Sequence, residues 1–335
     1  MSSIVNYEHE SGDGTQKQEV ADAILRSFKE VGFVYLVNHG VPQEKMDGII
    51  GWAKRFFALP METKMLAPHP PIGTHHRGYS APGLEKVIQN EFDPDKIVQS
   101  RKKAPDAKEN FESGKENDKV MPNIWLPDGI LPGFKEACLD YFWTCYEVEL
   151  NIFRALALGF HINEEFFTEY HSAADNQLRM LHYFSVPVKD VEEGLVPRIG
   201  AHSDFGTITM LLQDHAGGLE VEDPYNPGKF KAATPIPGSL VINAGDFLMR
   251  WSNDTIRSTV HRVRAPKDMY GTDCMTPERY SIPYHQRDTV ILTAIRTTPA
   301  IIDSVPGTWS ETVPKKYEPI DSAEYRMKRL AMSYM

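Results

Sequence analysis

Cysteine is scarce: Cys138, Cys145 and Cys274 are the three in 335 residues, and none stands at metal-ligand spacing. An odd number leaves one thiol over in any disulfide scheme, so a stapled secreted scaffold is disfavoured and a reducing compartment is the expectation. Basic charge is also short, with 36 Lys plus Arg against 46 Asp plus Glu and a formal net charge of −10. That balance argues against a broad surface for nucleic acid or anionic lipid. No run approaches the roughly 18 consecutive apolar residues of a membrane span. The opening MSSIVNYEHESGDG lacks both the apolar stretch of a signal peptide and the Arg-rich bias of a transit peptide. The expectation is a soluble, cytoplasmic chain whose partner is a small molecule, not a nucleic acid or a membrane.

What is present is enough for a large core: 41% hydrophobic, 10% aromatic and 24% charged residues, unlike a disordered chain. The length suits one large β domain with helical additions, or two domains. A helix is predicted from Gln16 to Gly32, where Val20, Ile24, Leu25, Phe28 and Val31 form one stripe. A buried strand follows at Phe33–Val37, then a turn and a second helix carrying Trp52, Phe56 and Phe57. From Leu59 to about Pro132 the text is irregular and reads as one long, lid-like loop. A long helix from Gly133 to about Phe160 has Phe134, Cys138, Phe142, Cys145, Val148, Ile152 and Leu156 near helical period. Beyond it come short strands at Leu178–Phe184, Thr207–Gln213, Leu219–Glu222, Ser239–Asn243, Thr259–Arg264, Tyr280–Tyr284 and Val290–Thr293, with a last helix at Ser322–Met335. Even spacing of so many strands argues for an antiparallel sandwich or barrel.

The chemistry centres on His202-Ser203-Asp204 and on His261, with 56 residues between Asp204 and His261. Residues two apart on an extended chain project to one side, so His202 and Asp204 can reach one point. Two imidazoles and a carboxylate on one face of an octahedron leave positions open, which suits non-haem Fe(II) activating oxygen. An H-x-D pair alone is weak. Eighteen residues after His261, however, Arg279-Tyr280-Ser281 offers a second alternating pair. An Arg fork takes a carboxylate bidentately and a Ser hydroxyl can share it, which implies an acidic small molecule beside the metal.

These residues resemble the Fe(II)- and 2-oxoglutarate-dependent dioxygenases of the isopenicillin N synthase-like superfamily. The resemblance also rests on Ser258-Thr259-Val260-His261-Arg262-Val263, Gly32-Phe33, Asn38-His39-Gly40-Val41-Pro42, Phe57-Ala58-Leu59-Pro60, Arg77-Gly78-Tyr79 and Asn243-Ala244-Gly245-Asp246. It implies a mainly β, α+β chain with a double-stranded β-helix (jelly roll) core braced by the long helix. Residues 1–132 would pack as a helical and loop region on a core of residues 133–335. It implies iron held by His202, Asp204 and His261, with 2-oxoglutarate and O2 as co-substrates and Arg279, Ser281 and Tyr183 holding the distal carboxylate. Within the family, Asp175–Tyr183 and Arg250–Asp254 are most similar to fungal thymine 7-hydroxylases and secondary-metabolite enzymes.

Period-two alternation puts Arg179 on the face of Tyr183, making it a substrate-binding candidate beside Phe205 and His285. Phe205 stands where the family often has Tyr, Phe184 where it often has Pro, and His285 where thymine hydroxylases stack an aromatic on the pyrimidine. An imidazole there can hydrogen-bond or change charge. The expected reaction is oxidation of a C–H bond of a small, polar, oxygen-rich ring compound in secondary metabolism, by hydroxylation or with ring rearrangement. A purely apolar substrate would leave Arg179 unpaired at a cost. The alternative within the class is a thymine or pyrimidine hydroxylase. Rivals from other classes are a zinc-dependent hydrolase, which leaves Arg279 and Ser281 unexplained, and a non-catalytic small-molecule receptor. His39, His75, His76 and His182 are read as turn or core residues, Gly217, Gly218 and Gly245 as turn glycines, Cys138 and Cys145 as core, and Arg101-Lys102-Lys103 as a solvated patch.

Overall fold

A computed structural model describes residues 3–7, 14–71, 75–84, 107–266, 274–285 and 301–321. The chain opens with strand β1 (Ser3–Asn6) and helix α1 (Gly14–Glu30), in which Ala21, Ile24, Leu25 and Phe28 are buried on one stripe. Gly32 stops the helix at φ +77. A side chain there would run into the Arg257 carbonyl oxygen, so the position needs glycine for both its conformation and its close approach. Strand β2 (Phe33–Val37) follows, then α2 (Gln43–Phe57) and the short α3 (Met61–Lys64).

The irregular stretch expected from Leu59 to Pro132 is corrected in part. It contributes β3 (Gly78–Ser80) and β4 (Lys108–Ser113), and all six β4 residues are buried. Their Lys, Glu and Asn residues hid the strand, because polar residues at alternating buried positions give no hydrophobic period. Helix α4 (Phe134–Gly159) is the long brace, burying Phe134, Cys138, Phe142, Cys145, Ile152 and Leu156 as expected.

After α4 come α5 (Thr168–His171), β5 (Gln177–Tyr183), α6 (Val188–Glu192), β6 (Ile199–His202), β7 (Ile208–Gln213), β8 (Leu219–Glu222), β9 (Phe230–Ala232) and β10 (Ser239–Ala244). Then follow α7 (Asp246–Trp251), β11 (His261–Val263), β12 (Arg279–His285), β13 (Ile301–Ile302) and β14 (Ile320–Asp321). The expected strand at Val290–Thr293, the helix at Ser322–Met335 and the basic run at Arg101–Lys103 lie outside the described residues.

An eight-stranded sheet runs β1-β2-β10-β7-β12-β5-β4-β3, and a four-stranded sheet runs β6-β11-β8-β9. Half of the larger sheet therefore comes from chain before α4. Its outer face, with Leu178, Met180, Met210, Leu212, Tyr280, Ile282 and Tyr284, packs with α1, α2 and α4 in one apolar cluster. The alternate residues turn inward, where Phe33, Tyr35, Leu181, Tyr183 and Val241 meet Ile199, Leu219, Val221 and Val263 of the smaller sheet. This two-sheet interior, closed on one side by helices, is the jelly-roll arrangement, and it decides which side chains can share a pocket.

Candidate active site

Register assembles the metal cluster. β11 runs antiparallel to β6 so that His261 lies directly opposite His202. Asp204 follows two residues after the end of β6. Its Oδ1 is 3.8 Å from His202 Nε2 and 3.8 Å from His261 Nε2. The imidazole rings stand 4.3 Å apart, and the three donor atoms lie within 4.8 Å of one another.

Each ligand is aimed by its other atom. His202 Nδ1 donates to the Gly200 carbonyl at 2.9 Å and His261 Nδ1 to the Thr259 carbonyl at 3.2 Å, which leaves both Nε2 lone pairs facing the carboxylate. Asp204 Oδ2 accepts from Thr209 Oγ1 at 2.7 Å and from Asn243 Nδ2 at 2.8 Å, so Oδ1 is the oxygen turned to the imidazoles. Burial pushes His202 down to about 4, with His261 adding to the shift and Asp204 opposing it. Burial works against the Asp204 anion, yet the imidazoles of His261, His285 and His202 and the Asn243 amide hold its carboxyl well below the usual range. A neutral His202 imidazole beside an ionised carboxylate is the protonation state a divalent metal needs of those two groups.

The loops are tied together. Asp246 accepts from Ser203 at 3.1 Å and from Ser258 at 2.7 Å, joining the two ligand-bearing segments. Gly245, read as a turn residue, sits where a side chain would strike the Gly206 and Asp204 carbonyl oxygens.

The second expected pair lies on the inner face of the larger sheet, which the smaller, ligand-bearing sheet packs against. Arg279 and Ser281 of β12 stand opposite Tyr183 and Leu181 of β5. Arg279 is 1% exposed, and its Nε donates to the Gly217 carbonyl at 2.9 Å, Nη1 to Ser281 Oγ at 2.8 Å and Nη2 to Gln213 Oε1 at 3.3 Å. Among the described residues no carboxylate forms an ion pair with it. A buried guanidinium held only by neutral acceptors suits an anionic ligand. Its carbon lies 4.9 Å from the centre of the Tyr183 ring, and that of Arg198 lies 5.9 Å away. Arg198, also 1% exposed, was not anticipated from the sequence. Burial, and after it the charge of Arg279, pushes it down to about 10. Its one signal is its place four residues before His202, in phase with the same alternation.

The substrate candidates are less alike. His285 closes β12 beside Thr209, its Nδ1 3.0 Å from Thr209 Oγ1 and therefore one hydroxyl away from Asp204. Phe205 follows Asp204 and is partly exposed. Arg179 faces inward as the alternation required, but it does not stand unpaired: its Nε is 3.2 Å from Glu112 Oε1 on β4. Contrary to expectation, an apolar ligand would not strand this cation, since Glu112 already balances it. Glu112 escaped notice because β4 did.

The remaining histidines divide. His39 Nδ1 accepts from the Val41 amide, shaping the turn as expected. His182 Nδ1 lies 2.8 Å from Glu109, which also binds Lys64 and Tyr79 on the outer face.

Two imidazoles and one carboxylate at the mouth of a jelly roll, with a buried cation on β12 of the facing sheet, suit a non-haem metal oxygenase that uses an acidic co-substrate. Family models agree: residues 174–288 match the 2OG-Fe(II) oxygenase superfamily, and residues 3–128 match the non-haem dioxygenase in morphine synthesis N-terminal family. A proline hydroxylase, buaE, of Petromyces alliaceus is 35% identical over 312 residues, covering 93% of this chain and 92% of that protein. A 2-oxoglutarate-dependent dioxygenase, frbA, of Dothideomycetidae sp. (strain 11243) is 33% identical over 327 residues, covering 96% and 94%. Among solved structures, the full-length thymine 7-hydroxylase of Neurospora crassa in complex with alpha-KG and thymine superimposes with a TM-score of 0.86 at 38% identity, covering 99% of this chain and 97% of that one. The chain belongs to the Fe(II)- and 2-oxoglutarate-dependent dioxygenases. It is an oxidoreductase. No helix among the described residues is long and apolar enough to cross a membrane.

Proposed function

We propose that His202, Asp204 and His261 hold the iron, that Arg279, Ser281 and Tyr183 receive the distal carboxylate of 2-oxoglutarate, and that Arg179, Phe205 and His285 meet the primary substrate. The observation that carries this reading is the pairing of two unsaturated features on the two facing sheets of one interior. Asp204 Oδ1 is aimed at two imidazole Nε2 atoms, and Arg279 is buried without a carboxylate partner among the described residues. Bound iron and 2-oxoglutarate supply the oxidising power, consuming O2 and releasing succinate and CO2 as one oxygen atom enters the substrate. The protein's own share is to orient, to exclude water and to fix protons. Thr209 and Asn243 hold the Asp204 carboxylate in one rotamer. Gly217, Ser281 and Gln213 hold the Arg279 fork.

The substrate is a small, polar, oxygen-rich ring compound of secondary metabolism, oxidised at a methyl or ring-adjacent carbon. Arg179 offers it a donor whose charge Glu112 already balances, so a neutral carbonyl- or hydroxyl-bearing ring suits it. His285 adds a hydrogen-bonding imidazole and Phe205 an apolar ring. A pyrimidine is the second reading, favoured by the likeness to a hydroxylase solved with thymine.

The test is Arg179→Ala, assayed for 2-oxoglutarate decarboxylation and for substrate oxidation against a panel of oxygenated aromatics and pyrimidines. Succinate production should persist while product falls at least tenfold. Product formation unchanged from wild type would remove Arg179 from the substrate site.

A further inference from the structure

A second cluster of two imidazoles and a carboxylate lies on the segment before β3 and on β4. We infer that His69, His76 and Glu112 form a second divalent-metal site, of a kind suited to zinc and separate from the iron-binding residues. His69 Nε2 is 3.8 Å from Glu112 Oε2, and His76 Nδ1 is 3.7 Å from the same oxygen. The three donor atoms fall within 4.8 Å of one another. These separations match the 3.8 Å and 3.8 Å of the first cluster. Zinc bonds of about 2.0–2.1 Å in a tetrahedron put neighbouring ligand atoms roughly 3.3 Å apart, so the two imidazole–carboxylate separations need to close by only a few tenths of an ångström, while the imidazoles, with ring centres 5.9 Å apart, must turn toward each other.

Orientation follows the logic of the first cluster. His69 Nδ1 lies 2.7 Å from the Pro70 carbonyl and donates to it, which turns the Nε2 lone pair toward Glu112. Glu112 gives Oε1 to Arg179 at 3.2 Å and Oε2 to the imidazoles, just as Asp204 divides its two oxygens. A ligating carboxylate whose other oxygen is held by a cation is a common outer arrangement around metals, and it keeps the positive charges apart.

The backbone is built before any ion arrives. The His69 amide donates to the Tyr79 carbonyl at 2.8 Å, and the Tyr79 amide to the Ala67 carbonyl at 2.7 Å. Arg77, 2% exposed, donates through Nη1 to the His76 carbonyl at 2.8 Å. Gly78 pairs with Glu112 across β3 and β4, so both histidines are carried by a segment registered against the carboxylate. Glu112 is 2% exposed, whereas the histidine side chains keep 19% and 15%, leaving a route for an ion to enter. Three protein ligands complete zinc with one water, and a non-redox ion fits a place that clasps a loop to a strand. Occupancy would fix Glu112, and through it Arg179.

The experiment uses the full chain carrying His202→Ala and His261→Ala, so that zinc cannot bind the first cluster. After chelation and dialysis against limiting zinc, elemental analysis should give one zinc per chain. X-ray absorption should show nitrogen and oxygen ligands with two imidazoles. Adding His76→Ala or Glu112→Gln, the latter keeping size and packing, should weaken zinc at least tenfold. No zinc in the parent, a sulfur ligand, fewer than two imidazoles, or a full equivalent retained after either added change would overturn the assignment.

Discussion

A single hydroxyl joins His285 to Asp204: Thr209 Oγ1 donates to Asp204 Oδ2 at 2.7 Å and stands 3.0 Å from His285 Nδ1. A threonine has one hydroxyl proton, and an ionised carboxylate can only accept. His285 must therefore donate through Nδ1. The interior thus couples a candidate substrate contact to a proposed iron ligand.

Thr209→Val keeps the shape and removes that hydroxyl. Asp204 keeps Asn243 but loses half of its clamp, and losing an outer partner of a metal ligand commonly costs 10–100-fold in affinity. Anaerobic Fe(II) titration of the variant should show weakening in that range, with circular dichroism unchanged. Equal affinity would mean that Asn243 alone orients the carboxylate.

Arg279→Ala should raise the 2-oxoglutarate requirement by roughly 30-fold or more, because a charge-assisted, bidentate contact is worth on the order of 2 kcal/mol or more. Arg279→Lys should recover part of it, since an ammonium keeps the charge but not the fork. The measurement is the apparent 2-oxoglutarate affinity in succinate release. An unchanged value would hand the carboxylate to another group, with Arg198 the first to examine.

The inner pocket was legible wherever chemistry coincided with alternation. His202 and Asp204, Arg279 and Ser281, and Tyr183 and Arg179 are each spaced by one or two strand periods, which brings each pair to the same face. Helices α1, α2 and α4 were legible through their apolar stripes. What stayed hidden was polar and buried. Lys108, Asn110 and Glu112 make β4 unreadable as a strand, because their burial follows from partners distant in sequence. Arg198, Thr209 and Asn243 act only once β6, β7 and β10 are in register. A sequence period reports which side faces the core, not which polar groups meet there.

Glu149 supplies a prediction independent of the metal. It is a fully buried residue of α4, its Oε2 accepting from Asn176 at 2.7 Å. Burial pushes its carboxyl up from 4.5 to about 8, with the Asn176 bond opposing the shift. Between these values the native chain keeps a proton that the unfolded chain has released, so this group lowers stability as pH rises, by at most about 1.4 kcal/mol per pH unit. Glu149→Gln removes the titration while keeping the acceptor. Urea unfolding from pH 5 to pH 8 should show the variant gaining on wild type steadily with pH. A constant difference between the two would place an ionised Glu149 in the native core.

The central claim is that His202, Asp204 and His261 hold iron beside an Arg279 pocket for 2-oxoglutarate. An anaerobic titration of the metal-free protein with Fe(II) and then 2-oxoglutarate tests it most directly, read by visible absorption. The account predicts a weak charge-transfer band that saturates at one Fe(II) and one 2-oxoglutarate per chain, is absent in His261→Ala, and needs much more 2-oxoglutarate in Arg279→Ala. Fe(II) bound at one equivalent with no band on adding 2-oxoglutarate, or a full band in His261→Ala, would contradict it.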